Sequence, residues 1–228
     1  MCSSDLYETD APVFSFVQLF SRNRFSGVDR VADANQITAA FTTRILELGT
    51  GKTRFEAALG QIYRLQPSEV TLPDEPNTSG RDNSDIVGTM RWLPFDWLRL
   101  GVGAQWDPAR TQLNRANTSV KFRPRPGYRF DLGYRFRRDL LEQTDLVVQL
   151  PLTQSWSVVG RWNYALDDAS TREALLGAEY KACCWTGRVA WRRYIANTRG
   201  EFNTSLYLQL ELTGLSQIGA GIREFLPD

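Results

Sequence analysis

From Asn35 onward, apolar residues recur at every second position instead of every third or fourth. That period belongs to half-buried strands, not to amphipathic helices. In Asn203–Leu212, Thr204, Leu206, Leu208, Leu210 and Leu212 alternate with Asn203, Ser205, Tyr207, Gln209 and Glu211. In Tyr128–Arg137, Tyr128, Phe130, Leu132, Tyr134 and Phe136 oppose Arg129, Asp131, Gly133, Arg135 and Arg137. Leu98–Asp107 and Trp156–Asp167 split the same way. Weaker alternation covers Gln36–Leu46, Thr53–Leu65, Asp85–Trp92, Thr111–Phe122, Thr144–Leu152, Thr171–Ala182 and Trp185–Tyr194. Together these predict about eleven strands of roughly 9–12 residues. The turns between them include Gly49-Thr50-Gly51, Pro94-Phe95-Asp96 and Asp167-Asp168. The expected fold is all-β, an antiparallel up-and-down meander over residues 35–212. Residues 7–34 read as a loop segment leading into it, and 213–228 as a C-terminal tail.

Two architectures share this alternation and differ in which face meets water. A soluble, lipocalin-like barrel turns its apolar set inward. A transmembrane barrel turns it outward into lipid and keeps a polar interior. Strand length favours the second, because a tilted membrane strand needs about 9–11 residues and globular strands average about 5–6. Aromatic residues cluster toward strand ends (Trp92, Trp106, Phe122, Trp156, Trp185 and Tyr194), as interfacial girdles do. Arginines at mid-strand on the polar set, Arg129, Arg161 and Arg188, suit a wet interior. The polar loop Gln66–Asn83 fits a long extracellular connection, and the tight turns fit periplasmic ones.

Composition narrows the chemistry. The 228 residues contain no histidine, which excludes His-based triads and His-ligated metal or haem sites. A net charge of +1 argues against nucleic acid, whose phosphates demand a basic face. No apolar run approaches the roughly 20 residues of a membrane helix. A mean hydropathy of −0.36 does not exclude a membrane barrel, half of whose strand residues face water.

The start of the chain is unusual. Met1-Cys2-Ser3-Ser4-Asp5-Leu6 has neither the basic nor the apolar region of a signal peptide. Cys2–Leu6 matches the translation of a common sequencing adapter, so residues 1–6 read as an assembly scar. Single-chain bacterial barrels have an even number of strands. An odd expected count and the missing export signal together suggest a fragment of a longer protein.

Few residues are arranged for catalysis. Gly49-Thr50-Gly51-Lys52-Thr53 has Leu46 where a phosphate loop needs glycine, and a strand is expected where the loop needs a helix. It reads as a hairpin turn. Asp167, Asp168 and Glu173 surround an expected turn and read as solvated acids. No catalytic residue, metal site or cofactor is expected, and the chain reads as a non-enzyme. Cys183-Cys184 has two readings: idle thiols, or disulfides to cysteines elsewhere in an oxidising compartment. Adjacent cysteines rarely bond to each other, because the bridge needs strained geometry.

Asn23-Arg24-Phe25-Ser26-Gly27-Val28-Asp29-Arg30, followed by Ala34-Asn35-Gln36, resembles a segment of the LptD family of lipopolysaccharide-assembly outer-membrane proteins. Gly60-Gln61-Ile62-Tyr63, Gln105-Trp106-Asp107, Val159–Tyr164, Cys183-Cys184-Trp185 and Leu208–Leu212 with Gly214-Leu215 fall in that family's order. The resemblance runs from about Thr9 to the C-terminus and corresponds to the C-terminal part of a large barrel. It implies non-catalytic delivery of lipopolysaccharide to the outer leaflet of a Gram-negative outer membrane. It also implies an LptE-like lipoprotein plug in the lumen and an LptA-like periplasmic bridge reached through an N-terminal domain. Cys183 and Cys184 match the pair that bonds to two N-terminal cysteines of the same chain. Asn203–Leu212 matches the last barrel strand, which pairs with the first at a lateral gate, so Asn203, Ser205, Tyr207, Gln209 and Glu211 become gate-strand residues. Arg129, Arg135, Arg161, Asn163 and Arg188 become lumen-lining. A self-contained porin-like channel and a soluble lipocalin-like binder remain the alternatives.

Overall fold

The computed structural model describes residues 16–20, 35–66, 83–195, 201–212 and 216–219. The suspected scar, the Asn23–Arg30 motif, Ala34, most of the Gln66–Asn83 loop and Gly214-Leu215 lie outside them. After a 3₁₀ turn at Val17–Phe20 come eleven strands of nine to twelve residues. They are β1 (Gln36–Leu46), β2 (Thr53–Arg64), β3 (Ile86–Phe95), β4 (Leu98–Asp107), β5 (Gln112–Phe122) and β6 (Arg129–Arg137). Then follow β7 (Leu141–Pro151), β8 (Trp156–Ala165), β9 (Ser170–Lys181), β10 (Trp185–Ile195) and β11 (Phe202–Leu212). A four-residue β12 (Ser216–Gly219) follows, and the strands are hydrogen-bonded in sequence order. No helix among the described residues is long and apolar enough to cross a membrane.

The expected meander is present, with local differences. β3 runs through Pro94 and Phe95, and the turn shrinks to Asp96-Trp97. The cause is aromatic: Phe95 stacks on Trp97 at 4.7 Å, and Trp97 meets Phe122 edge-on at 5.4 Å. β7 begins at Leu141, three residues before the alternation does, because Phe136 and Arg137 of β6 supply partners for Glu142 and Leu141. The Gly49-Thr50-Gly51 segment is a hairpin turn in which both glycines take positive φ, 91° and 68°. The Glu47 amide donates to the Lys52 carbonyl at 2.8 Å and closes it. Side chains with a Cβ disfavour that backbone, which explains the glycines without any phosphate chemistry.

The chain divides into two compact units, residues 1–91 with 103–115 and residues 92–102 with 116–228. In the first, Ile37, Phe41 and Ile45 of β1 and Leu59 and Tyr63 of β2 share one exposed face. On the other face Leu19, from the 3₁₀ turn, is fully buried with Ile62 and Val87, and Phe16 packs beside them. A Cβ at Gly60 would lie 2.6 Å from Leu19 Cδ1, so the glycine makes the seat. Thr38 Oγ1 donates to the Leu19 carbonyl at 3.0 Å and holds the turn there.

In the second unit the register lays side chains in rows across β7 to β11. Val147, Arg161, Leu175, Arg192 and Ser205 form one rung, and Asp145, Asn163, Glu173, Tyr194 and Asn203 the next. Burial on the two faces is the reverse of a soluble sheet. Leu176, Leu206 and Leu208 are 63%, 66% and 65% exposed, while Arg188 and Gln209 are 8% and 5%. A lipocalin-like barrel would bury the leucines. Contiguous exposed apolar surface of this kind needs a non-aqueous neighbour.

Candidate functional site

β11 places Asn203, Ser205, Tyr207, Gln209 and Glu211 on one face, because strand side chains alternate. The same face of β10 carries Thr186, Arg188, Ala190 and Arg192, and β9 adds Glu173, Leu175, Gly177 and Glu179. Charges here are matched across strands. Arg161 of β8 donates from Nε and Nη2 to Asp145 Oδ2 of β7 at 3.1 and 3.0 Å. Its Nη1 lies 3.8 Å from Glu173 of β9. Glu173 accepts from Arg192 Nε of β10 at 2.6 Å, which continues the ladder. A second bridge runs from Glu179 of β9 through Arg188 of β10 to Glu211 of β11, at 2.5 and 2.7 Å.

Three arginines (Arg161, Arg188, Arg192) face four carboxylates (Asp145, Glu173, Glu179, Glu211) in these pairs. Each guanidinium thus already engages an acid, and the face is not an open cationic receptor for phosphate. Charge-assisted pairs of this type fix strand register more than they add stability. Between them sit the small or apolar residues Val147, Leu175 and Ala190, all buried.

The five arginine and asparagine positions singled out in the sequence fall on this polar set, but not as one cluster. Arg129 pairs with Asp131 at 2.7 Å. Arg161 and Asn163 converge on Asp145, Asn163 Nδ2 donating at 3.2 Å. Arg188 makes the bridge to β11. Arg135 lies apart, exposed near the end of β6 and opposite Gln143. Sequence reasoning missed their acidic partners Asp131, Asp145, Glu173 and Glu179. A signal was present: the β9–β10 pairing is symmetric about Cys183-Cys184, which sets Glu179 directly opposite Arg188. A second polar cluster, where Asp85 Oδ2 accepts from Gln105 at 2.8 Å and Asn114 at 2.6 Å, was also missed.

Cys183 and Cys184 form the turn between β9 and β10, both exposed, with sulfurs 3.0 Å apart. That is hydrogen-bond contact, well beyond the roughly 2.05 Å of a disulfide. The Cys183 sulfur beside it raises the Cys184 thiol above its ordinary value. The turn is closed by the Ala182 amide donating to the Trp185 carbonyl at 2.9 Å. Trp156, Tyr180 and Trp185 pack next to it, with ring centroids 4.9 and 5.3 Å apart. Asp168 accepts from Ser170 and Arg172, and Glu173 belongs to the ladder, so these acids are not arranged as a catalytic pair.

The family described as LPS transport system D, LptD, matches residues 4–162. A protein of Nitrosococcus oceani named LPS-assembly protein LptD is 37% identical over 93% of this chain and 29% of its own length. Proteins of the same name from Alkalilimnicola ehrlichii and Nitrosospira multiformis are 38% and 39% identical. They align over 98% and 91% of this chain. The chain spans less than a third of each of these relatives, 30% and 22% for the last two.

Proposed function

This chain belongs to the LptD family, and on that premise we propose that it forms the C-terminal part of an outer-membrane barrel that delivers lipopolysaccharide to the cell surface. The observation that carries this reading is the inverted burial, with leucines and tryptophans exposed on one face and Arg188 and Gln209 buried on the other. In a bilayer that arrangement satisfies both faces: the apolar set meets lipid and the polar set lines the lumen.

The work is transport, not catalysis. Arg129, Arg135, Arg161, Asn163 and Arg188 line the lumen, which also receives an LptE-like lipoprotein plug. Because three of those arginines are held by carboxylates, the wall guides anionic sugar past it without trapping it. β11 is the last long strand among the described residues, and Asn203, Ser205, Tyr207, Gln209 and Glu211 belong to the seam where lipid leaves sideways. Cys183 and Cys184 bond to cysteines near the N-terminus of the complete protein. The N-terminal region takes its cargo from an LptA-like periplasmic bridge.

The test uses the full-length protein as the sole copy in a Gram-negative host. Ser205→Cys, oxidised onto a cysteine introduced in the facing first strand, should stop newly made lipopolysaccharide from reaching the surface, and reduction should restore it. Undiminished delivery through the locked seam would overturn the gate assignment.

A further inference from the structure

The polar face of the second unit is not balanced everywhere. Across β7 to β11 each arginine of the ladder meets a carboxylate. β4 to β6 differ, at the strand ends that lie on the same side as the Cys183-Cys184 turn. Arg99 near the start of β4, Lys121 and Arg123 at the end of β5, Arg125 in the following loop and Arg129 at the start of β6 stand there with two acids, Asp96 and Asp131. Asp131 Oδ2 accepts from Arg129 Nε at 2.7 Å and lies 3.7 Å from Arg123, so one carboxylate serves two guanidiniums. Arg99 and Arg125 are exposed and have no acid partner among the described residues.

The loop that carries Arg125 is stiff. It reads Arg123-Pro124-Arg125-Pro126-Gly127, and each proline fixes its own φ. The Arg123 amide donates to the Trp97 carbonyl at 2.7 Å and pins the end of β5 to the start of β4. The Tyr128 amide donates to the Arg125 carbonyl at 3.1 Å and closes the turn. Gly127 takes a φ of 84°, and a Cβ there would lie 3.4 Å from Pro151 Cγ, so the loop backbone rests close to β7. Arg99 shares the polar set of β4 with Gln105, and Arg123 shares Asp131 with Arg129, which puts them on the face that carries the ladder.

We propose that Arg99, Arg123 and Arg125 form a docking site for phosphate groups on the sugar of lipopolysaccharide, at the side of the lumen where the cargo enters. The inference rests on the reading of this face as a lumen wall, with the Cys183-Cys184 turn on the periplasmic side. Like charges held together with few acids repel one another, so the cluster does not serve the fold. Guanidinium forks match phosphate oxygens in pairs, and a loop fixed in advance has little freedom left to lose on binding. The sites are exposed and screened by salt, which keeps the hold short-lived. A phosphate held at this rim then meets, across β7 to β11, arginines already engaged by carboxylates. Capture is thus confined to the entry, and the wall beyond it lets the sugar move on.

Photocrosslinking in cells that carry the full-length protein as sole copy tests this. The probe is p-benzoylphenylalanine in place of Gln149, which lies directly opposite Arg129 on the same face. It should capture lipopolysaccharide, and Arg99→Gln with Arg125→Gln should lower the yield about threefold or more. The urea midpoint of that variant in detergent should stay level or rise, because two like charges are gone. If the double variant does not assemble, Arg125→Gln alone, in the loop, is read the same way. An unchanged yield, a lower midpoint, or a captured protein or phospholipid in place of lipopolysaccharide would overturn the proposal. The same probe in place of Asn163, beside the ladder, separates this from the reading beneath it. Capture at Asn163 without capture at Gln149 removes the docking site alone. Capture at neither removes passage through the lumen, and the docking site with it.

Discussion

The two compact units occupy their polar faces in different ways. In the first, a turn from ahead of β1 lays Leu19 over Gly60, Ile62 and Val87, and the seat is apolar. In the second, the polar face carries a ladder from Asp145 through Arg161 and Glu173 to Arg192, with Arg188 bridging Glu179 and Glu211. One strand pattern thus supports two local solutions. An apolar plug gains from burial and depends on shape; a charge ladder gains little net energy but punishes the loss of any member. The first should fail by losing fit, and the second by orphaning a charge.

The largest effect is expected at the apolar seat. Gly60→Ala would place a Cβ 2.6 Å from Leu19 Cδ1 and 3.1 Å from the Ala39 carbonyl, so the leucine tip must shift and the seat loses its fit. Losing a fully buried leucine costs on the order of 2–3 kcal/mol. The expected outcome is protease cleavage near residues 16–20 in the full-length folded protein, with β1 and β2 intact. Leu19→Ala, which removes the buried side chain outright, should give the same cleavage at equal or larger amplitude. If Gly60→Ala leaves the turn protected, the seat is not what holds it.

In the ladder, Arg161→Ala strips Asp145 of its guanidinium and leaves Glu173 with Arg192 alone, both acids keeping about a quarter or less of their side-chain exposure. That places the cost between an exposed and a buried pair, on the order of 1–2 kcal/mol. It should appear as a lower urea midpoint of the full-length protein in detergent. Adding Asp145→Asn should return much of the loss, since that side chain then needs no counter-charge while Glu173 keeps Arg192. Failure of the double variant to recover would mean that Arg161 acts through packing, and the contrast between the units would weaken.

The sequence made the strands legible because alternation is a local property: β1 and β4 begin and end where the pattern does. It also separated the two faces of β11. What stayed hidden depends on register or on distant chain. Glu179 and Glu211 meet at Arg188 only once both hairpins are set, and Glu211 was read as a gate residue without its partner. Leu19 lies in a stretch without periodicity, so nothing local marked it for burial against Gly60. The turn at Asp96-Trp97 was misplaced because proline suggested a break, while ring stacking between Phe95 and Trp97 extended the strand.

The smallest effect should come from ion pairs that resemble the ladder but sit in the first unit. Glu56 accepts from Arg44 at 3.1 Å and also pairs with Arg91. Arg44 and Arg91 are 61% and 55% exposed, where solvent screens the attraction and two long side chains must be ordered to make it. Arg44→Ala should leave the urea midpoint within error, and protease protection at residues 16–20 should not change. A clear destabilisation would mean that charge pairing holds β1 to β2 as it holds β9 to β11, and the two units would then share one mechanism. No change would place the stability of the first unit in its apolar seat, and would make Arg161 and Arg188 distinctive for where they sit, not for being arginines.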